Sequence, residues 1–120
     1  MGRRGRLSRS RDFDAVYRHG RSVSSRYLVL YVFPRGEADG GEEPRLGLAI
    51  SRKVGGATDR NRLKRRLRAA FEEVGDELPP RHDYVLVVRP GLAEASEARG
   101  FDWLVEQVRE VAGLAARSAA

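Results

Sequence analysis

RLGLAISRKVGGATDRNRLKRRLRAAF, residues 45–71, contains a strand pattern, a glycine break and a helix pattern in one run. The first part alternates strictly: Leu46, Leu48 and Ile50 fall on one face, and Gly47, Ala49, Ser51 and Lys53 on the other. That two-residue period predicts a half-buried strand over 45–53. Gly55-Gly56 interrupts it, and the period then lengthens. Wound at about 100° per residue, Leu63, Leu67, Ala70, Phe71 and Val74 share a single stripe. An amphipathic helix over 59–74 follows, capped by Thr58 or Asp59 and stopped by Gly75.

The polar side of this helix is charged against its own dipole. Asn61, Lys64, Arg65 and Arg68 form a continuous outward face, flanked by Arg62 and Arg66, while Arg60 tilts toward the core side. The basic residues come first, and Glu72 and Glu73 come last. Cations are favoured at a helix C-terminus and anions at its N-terminus, each by about 0.3–1 kcal/mol when exposed. The basic side chains also repel one another at i, i+4, as in the pairs 60/64, 62/66 and 64/68. Such a helix makes sense if a partner supplies the negative charge.

Working outward, residues 1–9 read as a mobile basic arm. Ser10 can cap a short helix over 11–19 that carries Phe13, Val16 and Tyr17 on one side and ends at Gly20. YLVLYVF, residues 27–33, predicts a strand. Its aliphatic face is Leu28, Leu30 and Val32; Tyr27, Val29, Tyr31 and Phe33 take the other. Residues 34–44, PRGEADGGEEP, read as an acidic hairpin loop joining the two strands. Pro79-Pro80 forces a turn, and the nearly continuous apolar run 84–88 predicts a central strand. Pro90-Gly91 ends it. A last helix over 100–116 aligns Phe101, Leu104, Val105, Val108, Val111 and Ala115, with Trp103 at the edge of the stripe and residues 117–120 as a frayed tail. The fold class is α+β: one domain over 1–120, a two-layer sandwich of a central sheet with packed helices.

Composition narrows the function. At 120 residues the chain has room for one core and not two. Without cysteine it forms no disulfide scaffold, no zinc finger and no cysteine nucleophile. No apolar run approaches the about 18 residues of a membrane span, and no apolar stretch follows the basic N-terminus, so cytoplasm is the expected location. The net charge of +6 conceals segregation: 1–36 carries +7, 37–43 carries −4, 44–68 carries +8 and 69–120 carries −5. Solvated surfaces usually mix their signs, and blocks of one sign point to a polyanionic partner, with nucleic acid first. Arg outnumbers Lys by 21 to 2, which fits a GC-rich genome.

A second surface is aromatic. If the first helix lies along the face of Val29 and Tyr31, then Phe13 and Tyr17 complete a shallow cleft with Lys53 at its rim. Such a surface stacks unpaired bases at about 1–3 kcal/mol each. Signals for catalysis are missing. His19 and His82 lack metal-ligand spacing, no P-loop pattern occurs, and the basic half holds only Asp12, Asp14 and Asp59 outside the acidic loop, a poor supply for a two-metal nuclease.

The segment Gly47-Leu48-x-x-Ser51-Arg52-Lys53, followed by Arg60-Asn61-Arg62, Lys64-Arg65 and Arg68, resembles the bacterial ribonuclease P protein component. The likeness extends from about residue 7 to residue 114, taking in Phe13, Tyr17 and His19-Gly20. Arg52 stands where lysine is common in that family, Thr58 where valine is usual and Ala69 where glutamate often follows. The resemblance implies a fold like the second domain of small-subunit ribosomal protein five, with a left-handed βαβ crossover that breaks the usual rule. It implies a noncatalytic protein subunit, one copy per RNA and monomeric alone. The catalytic RNA, with magnesium ions, removes the 5′ leader of precursor tRNA. It implies catalytic-RNA contact at Arg60, Asn61, Arg62, Lys64, Arg65 and Arg68, and leader contact at Phe13, Tyr17, Val29, Tyr31, Arg52 and Lys53. A general RNA-binding protein of the same fold is the alternative.

Overall fold

Four strands form one sheet in the order β1-β2-β4-β3 in the computed structural model, which describes residues 17–18, 20–34 and 44–119. The elements are β1 (Arg21–Ser24), β2 (Leu28–Pro34), β3 (Arg45–Ala49), α1 (Ala57–Glu73), β4 (His82–Val88), α2 (Leu92–Arg99) and α3 (Phe101–Ala119). β1 and β4 run antiparallel to β2, and β3 runs parallel to β4. A parallel pair needs a long crossover. Here α1 provides it, making a βαβ unit.

The expected α+β sandwich is present. Leu28, Leu30 and Val32 of β2, Leu46 of β3, and Tyr84, Leu86 and Val88 of β4 meet Leu63, Leu67, Ala70 and Phe71 of α1 in one core. α3 adds Leu104, Val105, Val108, Val111, Ala112 and Ala115. Every member of the expected α1 stripe is buried, Val74 included. Trp103 packs at the core edge, its ring edge-on to Tyr27 at 5.3 Å. Tyr27 therefore leaves the face of Val29 and Tyr31 to which simple alternation assigned it, because it precedes the strand.

Several expectations are corrected. Residues 34–44 do not close a hairpin: β4 lies between β2 and β3. The strand after them ends at Ala49 instead of residue 53. The hydroxyl of Ser51 accepts from the Lys53 N–H at 3.2 Å, and the Val54 N–H donates to the Ser51 carbonyl at 3.0 Å. These bonds wind Arg52–Val54 into a 3₁₀ turn. α1 starts at Ala57, with Gly56 as its cap and no side-chain capping bond, so neither Thr58 nor Asp59 caps it. The chain then makes a 3₁₀ turn over Gly75–Glu77 before the prolines. α3 continues to Ala119 through the tail expected to fray, where alanine favours helix. The arm over 1–9, Phe13 and most of the first helix lie outside the described residues.

Two elements carry no sequence pattern. β1, RSVS, has one apolar residue and forms by pairing with β2; Arg21 ties it to α3 by donating to the Ala115 carbonyl at 3.3 Å. α2, LAEASEAR, buries only Leu92 and Ser96. It is set off by Gly91 (φ 95°) and Gly100 (φ 91°), backbone values that favour glycine.

Candidate nucleic-acid interface

α1 presents its polar side away from the sheet, because its apolar stripe is consumed by the core. Asn61, Arg62 and Arg65 are exposed, and Lys64 and Arg68 are half-buried beside them. Arg60 is also half-buried, and its Nε is buried without a hydrogen-bond partner, in keeping with its expected tilt. Asp59 is the sole acid in the first turn, and the last turn has no basic residue. The reversed charge order is thus a property of the folded helix. No side chain relieves it at the cap.

One edge of the helix is engaged from within the molecule. Arg62 donates from Nη1 to Glu97 Oε1 of α2 at 3.2 Å, and Arg66 Nη1 lies 3.7 Å from the same oxygen. Between α1 and α2 runs a groove of about 270 Å³ that includes Leu63 and Ser96 in its lining. Glu97 lies in the acidic segment 69–120, to which the sequence assigned no site residue. Arg62 and Arg66 share a helix edge by their i, i+4 spacing, but nothing in the pattern of α2 announced the acid opposite them.

The second surface is the sheet face opposite the helices. Register places side chains on it in rows: Ser22, Tyr31, Val85 and Gly47; then Ser24, Val29, Val87 and Ala49; and, at one end, Phe33, Asp83 and Arg45. Val85 is fully buried, with Tyr31, Phe33, Ala49 and Val87 packed around it. Small residues on β3 keep this face shallow. Tyr17 stands over it, ring edge to Tyr31 at 4.9 Å and 87°, and is 42% exposed. Partial burial, and secondarily Tyr31, raise the Tyr17 hydroxyl pKa above its ordinary value, so the ring stays neutral at physiological pH.

Charge sits at both ends of this face. At one end Arg45 Nε and Nη2 donate to the two carboxylate oxygens of Asp83, each at 2.7 Å, and Asp83 is 4% exposed. This is a bidentate, charge-assisted pair. At the other end Arg52 and Lys53 are exposed on the 3₁₀ turn, so Lys53 rims the sheet from a loop instead of a strand. Lys53 and Arg89 share a groove of about 180 Å³. The Arg89 N–H donates to the Tyr27 carbonyl at 2.9 Å, extending the β2–β4 ladder, and its guanidinium donates to the Ser25 carbonyl at 2.9 Å. Arg89 was missed, although the alternation Asp83, Val85, Val87, Arg89 carries the signal.

The structure therefore brings Tyr17, Val29 and Tyr31 together, with Arg52 and Lys53 beyond one end of the sheet. Of the other seven expected residues, six lie on α1 and Phe13 lies outside the described residues. Among the described residues no three His, Cys, Asp or Glu side chains gather as a metal-binding group. Nor is any helix of the described residues long and apolar enough to cross a membrane.

Fold and surfaces together define a class: a small basic α+β sandwich with one cationic helical side and one aromatic sheet side. The family model for Ribonuclease P matches residues 1–112. The ribonuclease P protein component of Shouchella clausii is 44% identical over 89 residues, spanning 74% of this chain and 70% of that protein. The one from Geobacillus kaustophilus is 34% identical over 116 residues, spanning 95% and 92%. The solved RNase P protein of Thermotoga maritima superposes with a TM-score of 0.78 at 32% identity, covering 89% of this chain and 94% of that one. That of Staphylococcus aureus gives 0.78 at 25% identity, covering 92% and 94%. The chain belongs to the ribonuclease P protein family, and its role is that of a protein subunit of ribonuclease P.

Proposed function

We propose that this subunit binds two RNA elements at once. The cationic face of α1, through Arg60, Asn61, Arg62, Lys64, Arg65 and Arg68, docks on the catalytic RNA. The aromatic sheet face, with Tyr17, Val29, Tyr31, Arg52 and Lys53 and, in our reading, Phe13, receives the single-stranded 5′ leader of precursor tRNA. Hydrolysis and its magnesium ions belong to the RNA, and the protein contributes affinity and placement. One protein copy per RNA, a monomer when free, acts in the cytoplasm.

The observation that carries this reading is the opposition of the two surfaces. α1 packs on one face of the sheet through its apolar stripe, and Tyr31 lies on the other face. A sheet and its packed layer are about 10 Å apart, so one RNA strand on each side is sterically independent of the other. Stacking on a neutral ring tolerates any base, whereas the guanidinium fork suits phosphate oxygens. The two surfaces therefore do different chemistry.

Tyr31→Ala tests this separation. It removes the ring at the middle of the aromatic face and is expected to weaken binding of leader-bearing precursor tRNA about tenfold, roughly one stacked base. Leaderless tRNA and the catalytic RNA should bind as before. Equal loss toward all three RNAs, measured by direct titration, contradicts the two-surface reading.

A further inference from the structure

The contact between Arg62, Arg66 and Glu97 extends this reading of α1 and rests on it. The two guanidinium groups lie one turn apart on α1, and both point at a single oxygen, Glu97 Oε1, at 3.2 and 3.7 Å. Two cations converging on one anionic oxygen is the arrangement that a phosphate oxygen also satisfies. The carboxylate is held weakly: the side chains of Glu97 and Arg62 are 60% and 54% exposed, and exposed ion pairs of this kind add little to stability. It comes from α2, a short helix anchored by Leu92 and Ser96 and separated from α1 by the groove.

We propose that Arg62 and Arg66 form a phosphate-binding subsite for the catalytic RNA, and that Glu97 occupies it in the free protein as an internal stand-in for the phosphate. Arg66 thereby joins the RNA-binding residues, although it lies on the flank of the cationic face. The stand-in performs two tasks. It holds two long side chains side by side, so less of their freedom remains to be lost on binding. It also neutralises part of a helix edge where 62 and 66 otherwise repel each other at i, i+4. An RNA phosphate carries its charge into the same fork and displaces the carboxylate into solvent, which its exposure allows. A weak or misplaced polyanion gains less by that exchange, so the subsite discriminates against loose, nonspecific binding.

The test is a double-mutant cycle on the full chain, titrated against its cognate catalytic RNA at several salt concentrations. Glu97→Gln keeps the side-chain shape and removes the competing charge. It is expected to tighten binding about two- to fivefold at low salt, the range set by an exposed ion pair. The slope of log K against log salt should stay nearly the same, because the same phosphate enters the fork in both proteins. In the Arg62→Ala/Arg66→Ala background the same substitution should change nothing. Glu94→Gln, removing an equal charge from the same helix, should have a clearly smaller effect. Equal gains from Glu94→Gln and Glu97→Gln mean a diffuse charge effect and overturn the inference. Unchanged or weaker binding by Glu97→Gln, with the wild-type chain still binding, overturns it alone. Failure of the wild-type chain to bind the RNA overturns the proposed function as well.

Discussion

Replacing Lys64 and Arg65 together by alanine is expected to weaken binding to the catalytic RNA by about ten- to a hundredfold and to flatten its salt dependence by about 1.4–1.8 log units. Arg65 is exposed, and Lys64 is only half-buried. Neither contributes to the core, so the loss is one of counterion release, with no change of fold. Stability should move the opposite way. Lys64 stands one turn from both Arg60 and Arg68, and relieving each repulsion is worth about 0.2–0.5 kcal/mol. Alanine is also the strongest helix former. A thermal midpoint that stays or rises while RNA affinity falls is the signature of a helix kept basic for its partner. A midpoint that falls with the affinity contradicts that account and makes the charges structural.

The largest expected effect on stability is at Phe71. Its side chain is 2% exposed and meets the Tyr84 ring edge-on at 5.7 Å. Tyr84 is fully buried and anchored by a 2.7 Å hydrogen bond from its hydroxyl to the Pro79 carbonyl, and burial raises its pKa well above the ordinary tyrosine value. Phe71→Ala removes an aromatic pair and leaves a cavity between α1 and the central strand, at a cost of about 3–5 kcal/mol. A chain of this size has roughly 6–18 kcal/mol in total, so a large part of the folded population margin disappears. Urea denaturation measures the loss directly. Catalytic RNA should restore part of it, because a ligand that binds only the folded chain stabilises it. A loss below about 1 kcal/mol would mean that α1 is not held to the sheet by this stripe.

What could be read from residues alone follows burial. The stripe of Leu63, Leu67, Ala70, Phe71 and Val74 was legible because one helix face is fully committed to the core. The run YVLVV was legible as central because Val85 is buried on the side of the sheet away from the helices as well. That reading already conflicts with a hairpin between β2 and β3, since a central β4 requires those strands to flank it. Adjacency in sequence prevailed over the pattern, and it misled. β1 and α2 were invisible for a different reason: RSVS and LAEASEAR bury too little to impose a period, and they form because their neighbours are in place. The cationic residues of the candidate site were legible from charge order on one helix. Glu97 and Arg66 as its second partner were not, because their meaning depends on contacts between elements distant in the chain. Lys53 was identified as a rim cation, but its element was misjudged, since Ser51 closes a turn where the alternation suggested more strand.

The role proposed for this chain is to let a catalytic RNA process leader-bearing precursor tRNA. It is tested most directly by reconstitution at low magnesium. The purified chain is added to its cognate catalytic RNA, and cleavage of precursor tRNA is followed beside RNA alone and protein alone. The account predicts cleavage by the mixture well above that of the RNA alone, none by the protein alone, and a smaller gain with Tyr31→Ala or with Lys64→Ala/Arg65→Ala. No gain over RNA alone, or cleavage by the protein without RNA, would contradict it.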